Sequence, residues 1–253
     1  MLVKEFLKDK LRVKIYSSRQ AMGQGAADEA VAYVKELLAA QQEVNIIFAA
    51  APSQNEFQAA VAASDLDWSR INAFHMDEYI GLKEDAPQGF GNFLRRAIFD
   101  KVPFRSVSYL NGQIEPGRAC VEYAQRLAEK PVDVVFMGIG ENGHIAFNDP
   151  HVADFNDSEV VKIVDLDEKC RQQQVNDGCF ATIEDVHTHA MTLTIPALCR
   201  AKRLFCVVPA ATKAWAVNET INGEVSEHCP ASVMRRHENA TLYVDSDSAS
   251  ELK

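Results

Sequence analysis

The stretch that decides the fold is Val132-Asp133-Val134-Val135-Phe136-Met137-Gly138-Ile139, followed at once by Gly140-Glu141-Asn142-Gly143-His144. The first eight residues form the most apolar strand candidate in the chain. A run with no polar alternation is the mark of a strand covered on both faces, as in a parallel sheet. The glycines that follow require a turn. Working outward, similar runs appear at Arg12–Tyr16, Val44–Ala50, Ile71–Met76, Val160–Val164, Met191–Ile195, Leu204–Val208 and Ala240–Val244. Between them lie helical patterns. Ser18–Ala40 carries Ala27, Ala30, Val31, Val34 and Leu37 at spacings of three and four. Ser53 with Glu56 reads as a capping box opening another helix. Phe93–Phe99, Arg118–Lys130 and Thr212–Ile221 follow, while Asp77–Gly91, with Gly, Pro and acidic residues, reads as a loop.

Strands alternating with helices imply right-handed parallel crossovers. The expectation is an α/β protein: one three-layer αβα domain over residues 1–253 with a Rossmann-like, mostly parallel sheet, closed by Ala240–Val244. No Pro/Ser-rich linker, repeat or low-complexity tract divides the chain.

Composition sets the outer limits. The 253 residues are 47% hydrophobic and 25% charged, which excludes disorder as the main state. The formal charge of −10 argues against nucleic acid or an anionic membrane as a partner, since both need a positive field. The six cysteines form no C-x-x-C and no zinc-finger spacing, and read as reduced packing residues. Charges interrupt the N-terminus, so no signal-peptide core is expected there, and no apolar run is long enough to span a bilayer. The expected compartment is the cytoplasm.

Ligands of doubly wound sheets bind beyond the carboxyl ends of the strands. Four such ends carry chemistry. The strand ending at Met76 delivers Asp77 and Glu78, which are either solvated charge or a general base tuned by an apolar wall. The strand ending at Ile139 delivers Asn142, Gly143 and His144, with Asp149 five residues on. A carboxylate on one imidazole nitrogen fixes the tautomer and frees the other nitrogen for proton transfer. The glycines let backbone N–H groups approach a ligand, or simply make a tight turn. The strand ending at Val208 delivers Lys213 at a helix start, a phosphate-binding arrangement or a surface lysine. Ser53 is a second helix-start candidate, as anion contact or plain cap. Together these describe one crevice suited to proton shuffling on a sugar phosphate.

Two segments carry a family resemblance. Phe74-His75-Met76-Asp77-Glu78-Tyr79-Ile80-Gly81-Leu82 resembles the F-x-M-D-E-Y-x-G-L motif of the glucosamine-6-phosphate deaminases, or isomerases. Gly138 through Pro150 resembles their second motif, G-[IV]-G-x-D-G-H-I-A-F-N-E-P. The related 6-phosphogluconolactonases share the fold and the Asp-Gly-His turn, but Ile145-Ala146-Phe147-Asn148 is similar to the deaminase version.

The resemblance implies a mechanism without metal or organic cofactor. His144 opens the sugar ring, helped by carboxylates, and Asp77 moves a proton between C2 and C1 through an enol. Ammonia leaves a ketose phosphate. Lys213 matches the family's phosphate lysine. The implied catalytic set is Asp77, His144, Asp149 and Asn142, and the implied substrate contacts are Ser53, Glu78, Gly143, Arg171 and Lys213. The partner is a small-molecule sugar phosphate, and a homo-oligomer is left open.

Three departures stand out. Asn142 replaces the motif's Asp, and an amide can neither exchange that proton nor hold an imidazolium by charge. Asp149 replaces Glu and is one methylene shorter, so its reach to His144 is expected to need a water or a backbone shift. Ala49-Ala50-Ala51-Pro52-Ser53 replaces the family's Gly-rich phosphate loop, so the loop should take another path. Arg171 is the nearest arginine to the family's phosphate arginine, with Gln174 as the alternative occupant of that place. Two other readings remain: a lactonase-like hydrolase, and a sugar-phosphate-binding protein without turnover.

Overall fold

The computed structural model describes residues 1–252. Its strands are β1 (Leu2–Lys8), β2 (Leu11–Tyr16), β3 (Val44–Phe48), β4 (Ile71–His75), β5 (Asp77–Tyr79), β6 (Ser106–Ser108), β7 (Val134–Met137), β8 (Val161–Asp165), β9 (His189–Leu193), β10 (Arg203–Val208) and β11 (Ala240–Asp245). Its α-helices are α1 (Arg19–Ala40), α2 (Asn55–Ala62), α3 (Phe90–Leu94), α4 (Pro116–Glu129), α5 (Glu168–Asn176), α6 (Ile195–Cys199) and α7 (Ala214–Asn222).

Eight strands form the main sheet, in the order β1-β2-β11-β10-β7-β3-β4-β6. Every neighbouring pair is parallel except the β1–β2 hairpin. Helices cover both faces. On β7, Val134 and Phe136 point into the core layer beneath α1, where Met22, Ala26, Ala30 and Val34 are buried. Val135, Met137 and Ile139 point into the opposite layer with Tyr123 and Leu127 of α4 and Val217 and Ile221 of α7. Both faces of this strand are therefore dry, which is why its sequence lacks alternation. The arrangement is the three-layer, Rossmann-like, mostly parallel α/β sheet that the alternating pattern predicts.

The differences lie at the margins. β11 does not close the sheet; it sits between β10 and β2, and the edge is β1, a charged, exposed strand hidden from a reading based on apolar runs. Val160–Val164 and Met191–Ile195 do not join the main sheet. As β8 and β9 they form a separate antiparallel sheet with β5, in the order β5-β9-β8. The expected loop after Met76 thus begins as a strand, with Asp77 opposite Thr192 and Tyr79 opposite Ala190. Ser53 does not open a capped α-helix. It lies in a 3-10 turn, Pro52–Gln54, and Glu56 pairs with Arg19 at 2.8 Å instead of closing a capping box.

The chain order reverses between β3 and β7: β3, β4 and β6 run outward one way, and β7, β10 and β11 the other. At this switch point the chain segments leaving β3 and β7 diverge and leave a crevice.

Candidate active site

The crevice holds about 60 Å³. Ala49–Ala51, Ser53 and Gln54 wall it after β3, Met76 and Asp77 after β4, and Gly138–Gly140, His144, Ala146 and Phe147 after β7. Gln173 and Gln174 of α5 close it from above.

Asp77 is 6% exposed, and its carboxyl meets no protein donor among the described residues. Burial, and next the neighbouring charge of Glu78, push it well above the usual carboxylate range. A carboxyl held in this way is poised to take a proton. Its backbone is fixed by His75, whose Nδ1 lies 2.9 Å from the Asp77 carbonyl oxygen.

His144 stands opposite, in the turn after β7. The Gly140 N–H donates to the His144 carbonyl at 2.9 Å. The imidazole lies flat against Gly140: a Cβ there would sit 2.1–2.4 Å from three ring atoms. Gly143 adopts φ +85°, and a side chain on it would strike Cys229. Both glycines are required by the turn and by close approach.

The His144 Nδ1 lies 2.7 Å from the Asn142 Oδ1 and 2.9 Å from the Asp149 Oδ1. Asp149 thus reaches the imidazole directly, despite its shorter side chain. Burial alone would raise the Asp149 carboxyl. The charge of His144 and the bonds from His144, Asn142 and the Asp167 N–H outweigh it and hold the group below its usual range. The Cys170 thiol also donates to Asp149, and burial first, then the nearby acids, raise that thiol well above normal. His144, Asp149 and Cys170 are close enough to share a cation, and these hydrogen bonds already account for their grouping.

Lys213 lies in a 3-10 turn, Ala211–Lys213, ahead of α7. It is 4% exposed and its ammonium has no hydrogen-bond partner among the described residues. Burial lowers its proton affinity, and the charges of Asp177 and Glu141 oppose that only partly. The preceding Ala210 sits at φ +83°, where a side chain is strained, with its N–H held by the Asp245 carboxylate at 3.2 Å. A buried cation behind a strained turn, unpaired among the described residues, is an arrangement suited to receive an anion.

The other residues singled out from sequence fall in several places. The Ser53 hydroxyl accepts from Gln54 Nε2 at 3.2 Å on the crevice wall. The Glu78 carboxylate turns away and accepts from the N–H groups of Tyr79, Phe90 and Gly91 at 2.9–3.0 Å, fixing the start of α3. The Arg171 guanidinium bonds the carbonyls of Ile183 and Val186 and does not line the crevice. Gln174 lines it instead.

Sequence reading named Gln174 but missed Gln54, Gln58 and Gln173. Gln54 Nε2 donates to the Val207 carbonyl at 2.9 Å and Gln58 Nε2 to the Ala49 carbonyl at 2.7 Å, which pins the Ala-rich loop to the sheet without glycines. Gln173 Oε1 accepts from the Glu141 N–H at 2.8 Å. The run of three glutamines at 172–174 was the available signal.

This geometry has counterparts. Residues 17–243 match the family model for glucosamine-6-phosphate isomerases/6-phosphogluconolactonase. A glucosamine-6-phosphate deaminase of Bacillus cereus (strain G9842) is 35% identical over 218 residues, covering 86% of this chain and 81% of that protein. One from Bacillus thuringiensis (strain Al Hakam) is 34% identical over the same length. Among solved structures, a monomeric glucosamine-6-phosphate deaminase superposes with a TM-score of 0.85 at 26% identity, covering 94% of this chain and 98% of that one. The 6-phosphogluconolactonase of Thermotoga maritima shares the fold, with a TM-score of 0.76 at 19% identity over 93% of this chain and 100% of its own. On the extent of these matches and on the two motifs that meet in the crevice, the chain belongs to the glucosamine-6-phosphate isomerase/6-phosphogluconolactonase family.

Proposed function

We propose that this protein is an amino-sugar 6-phosphate isomerase/deaminase, converting an aldose amine phosphate such as glucosamine 6-phosphate, or an epimer, to the ketose phosphate and ammonia. The observation that carries the reading is the pairing of an unbonded, buried Asp77 carboxyl with the His144 imidazole across one crevice. A lactone hydrolase has no need of the first group.

The steps follow from the two bases. His144 Nε2 takes the proton of the anomeric hydroxyl and delivers it to the ring oxygen, opening the ring. The Asp77 carboxylate removes the proton from C2 while the substrate ammonium gives one to O1, leaving an enolamine, and Asp77 then returns its proton to C1. The resulting imine at C2 adds water and expels ammonia. Burial of Asp77 raises its basicity toward the range where such a transfer is effective. The phosphate is assigned to Lys213, which is buried behind the crevice lining, and to the Ser53 hydroxyl on the crevice wall. The six free thiols support placing the protein in the cytoplasm, and no helix among the described residues is long and apolar enough to cross a membrane.

The test is ammonia release from glucosamine 6-phosphate and galactosamine 6-phosphate, with Asp77→Asn as control. Release from either sugar, lost in the variant, supports the reading. Saturable binding without release would overturn it in favour of a binding protein.

A further inference from the structure

Asn142 is bonded at every polar position. Its Nδ2 donates to Asp149 Oδ1 at 2.9 Å and to Asp167 Oδ2 at 2.9 Å. Its Oδ1 accepts from the His144 backbone N–H at 3.1 Å and faces His144 Nδ1 at 2.7 Å. A backbone N–H can only donate, so the amide orientation is settled by its partners. His144 Nδ1 therefore faces two acceptors, the Asn142 and Asp149 oxygens, and carries the hydrogen. The lone pair is left on Nε2.

Asp167 completes the arrangement from another element. It caps α5, accepting from the Cys170 N–H at 2.6 Å, and its own N–H donates to Asp149 Oδ2 at 3.2 Å. The same carboxylate thus holds the helix that carries Gln173 and Gln174 and the amide that orients the imidazole. The family motif predicts that the amide at 142 is a loss. The contacts say the opposite, because a carboxylate at 142 would face Asp149 and Asp167 with no hydrogen to give either.

We propose that Asp167 is a positioning residue for His144, acting through Asn142, and that the two form a matched carboxylate–amide pair that this chain requires. The proposal rests on the deaminase reading for its activity assay and on geometry alone for the rest.

The test is a reciprocal exchange. Asn142→Asp restores the motif residue, yet kcat should fall by about 10-fold or more, the range for losing an oriented proton carrier, with KM changed little. Asp167→Asn keeps an oxygen for the Cys170 N–H, so α5 stays capped, and kcat should fall similarly. In the double variant Asn142→Asp/Asp167→Asn, the amide at 167 donates to the carboxylate at 142. Activity should recover above both single variants. The acid limb of the pH–rate profile should move upward in Asn142→Asp and return toward the wild type in the double variant. The titratable groups facing this cluster are Asp149 on its own turn, Cys170 on α5 and Asp167 at its N-cap, His151 beyond Asp149, and Asp77 across the crevice.

Nitrogen-15 NMR of the imidazoles, without substrate, separates this proposal from the deaminase reading. It should find His144 as the Nδ1–H tautomer in the wild type, whether or not ammonia is released. Higher activity in Asn142→Asp, simple additivity in the double variant, or an Nε2–H tautomer would each overturn the proposal.

Discussion

His75 Nδ1 lies 2.9 Å from the carbonyl oxygen of Asp77, while Nε2 of the same ring accepts the Leu110 N–H at 2.9 Å. One neutral imidazole, with no exposed surface, ties the base-bearing strand to the loop beside it. The Leu110 N–H must donate, so Nδ1 carries the hydrogen that holds Asp77 in place.

Replacing this imidazole should be costly. His75→Leu leaves two buried backbone groups unpaired, a loss of about 2–4 kcal/mol. The pH dependence has a definite sign. Burial, opposed by the bond to Asp77, lowers the ring to about 4, whereas the unfolded chain protonates it near the ordinary ~6.5. The native contribution is full above pH ~6.5 and falls by about 3 kcal/mol as the pH drops to 4. Urea unfolding at pH 7 and pH 5 should show the gap between wild type and His75→Leu shrinking with acid. A constant gap would mean that the native ring takes up protons over the same pH range as the unfolded chain.

Asp77→Asn should trade activity for stability. The native carboxyl holds its proton above the usual range, so the folded state binds more protons than the unfolded one there. Stability from this residue is present at low pH and declines as the pH rises through the raised range. The variant lacks that decline. Its thermal midpoint should exceed the wild type's at pH 8 by more than at pH 4. Ammonia release should fall by about 10²–10⁴-fold, the usual contribution of a general base.

Lys213→Met tests the proposed anion site. An unpaired buried ammonium destabilises the ligand-free fold, so the variant should be more stable by about 1–3 kcal/mol at pH 7. The wild type should approach it as the pH rises toward the ordinary lysine range, because a depressed native proton affinity means stability increases with pH. Thermal shifts with inorganic phosphate provide the functional half. Phosphate should stabilise the wild type and not the variant. Equal stabilisation of both would remove Lys213 from the phosphate site.

Gly140→Ala places a methyl group inside the contact radius of the His144 ring. The ring is the movable partner, so the fold should survive with a cost of about 1–3 kcal/mol. Displacing the imidazole by even an ångström should reduce kcat about 100-fold. Circular dichroism alongside the kinetics distinguishes this from unfolding.

Burial on both faces is written into β3, β7 and β10 as nearly unbroken apolar runs, so the parallel core and the helix layers were legible from local pattern, whereas the strand order that creates the switch point was not. The placement of Asp77, Asn142, His144 and Lys213 was legible too, because each stands at the carboxyl end of a core strand or in the turn that follows it. The same rule says nothing of Arg171, which came from the family resemblance, and for Glu78 it places the backbone but not the side chain. Their side chains are long, and which way they turn is set by carbonyls and N–H groups supplied from segments 12 to 15 residues away. The β5-β9-β8 sheet was hidden for a similar reason: Asp77–Tyr79 is extended only because a strand more than a hundred residues later pairs with it.

Sequence alone determined which strands are buried and what chemistry stands at their ends, since apolar periodicity and residue type are local properties. Tertiary structure decided how that chemistry is wired. The Asn142–Asp167 contact spans 25 positions, and a hydrogen bond depends on the placement of two side chains in space, to which neighbouring residues in the chain contribute little.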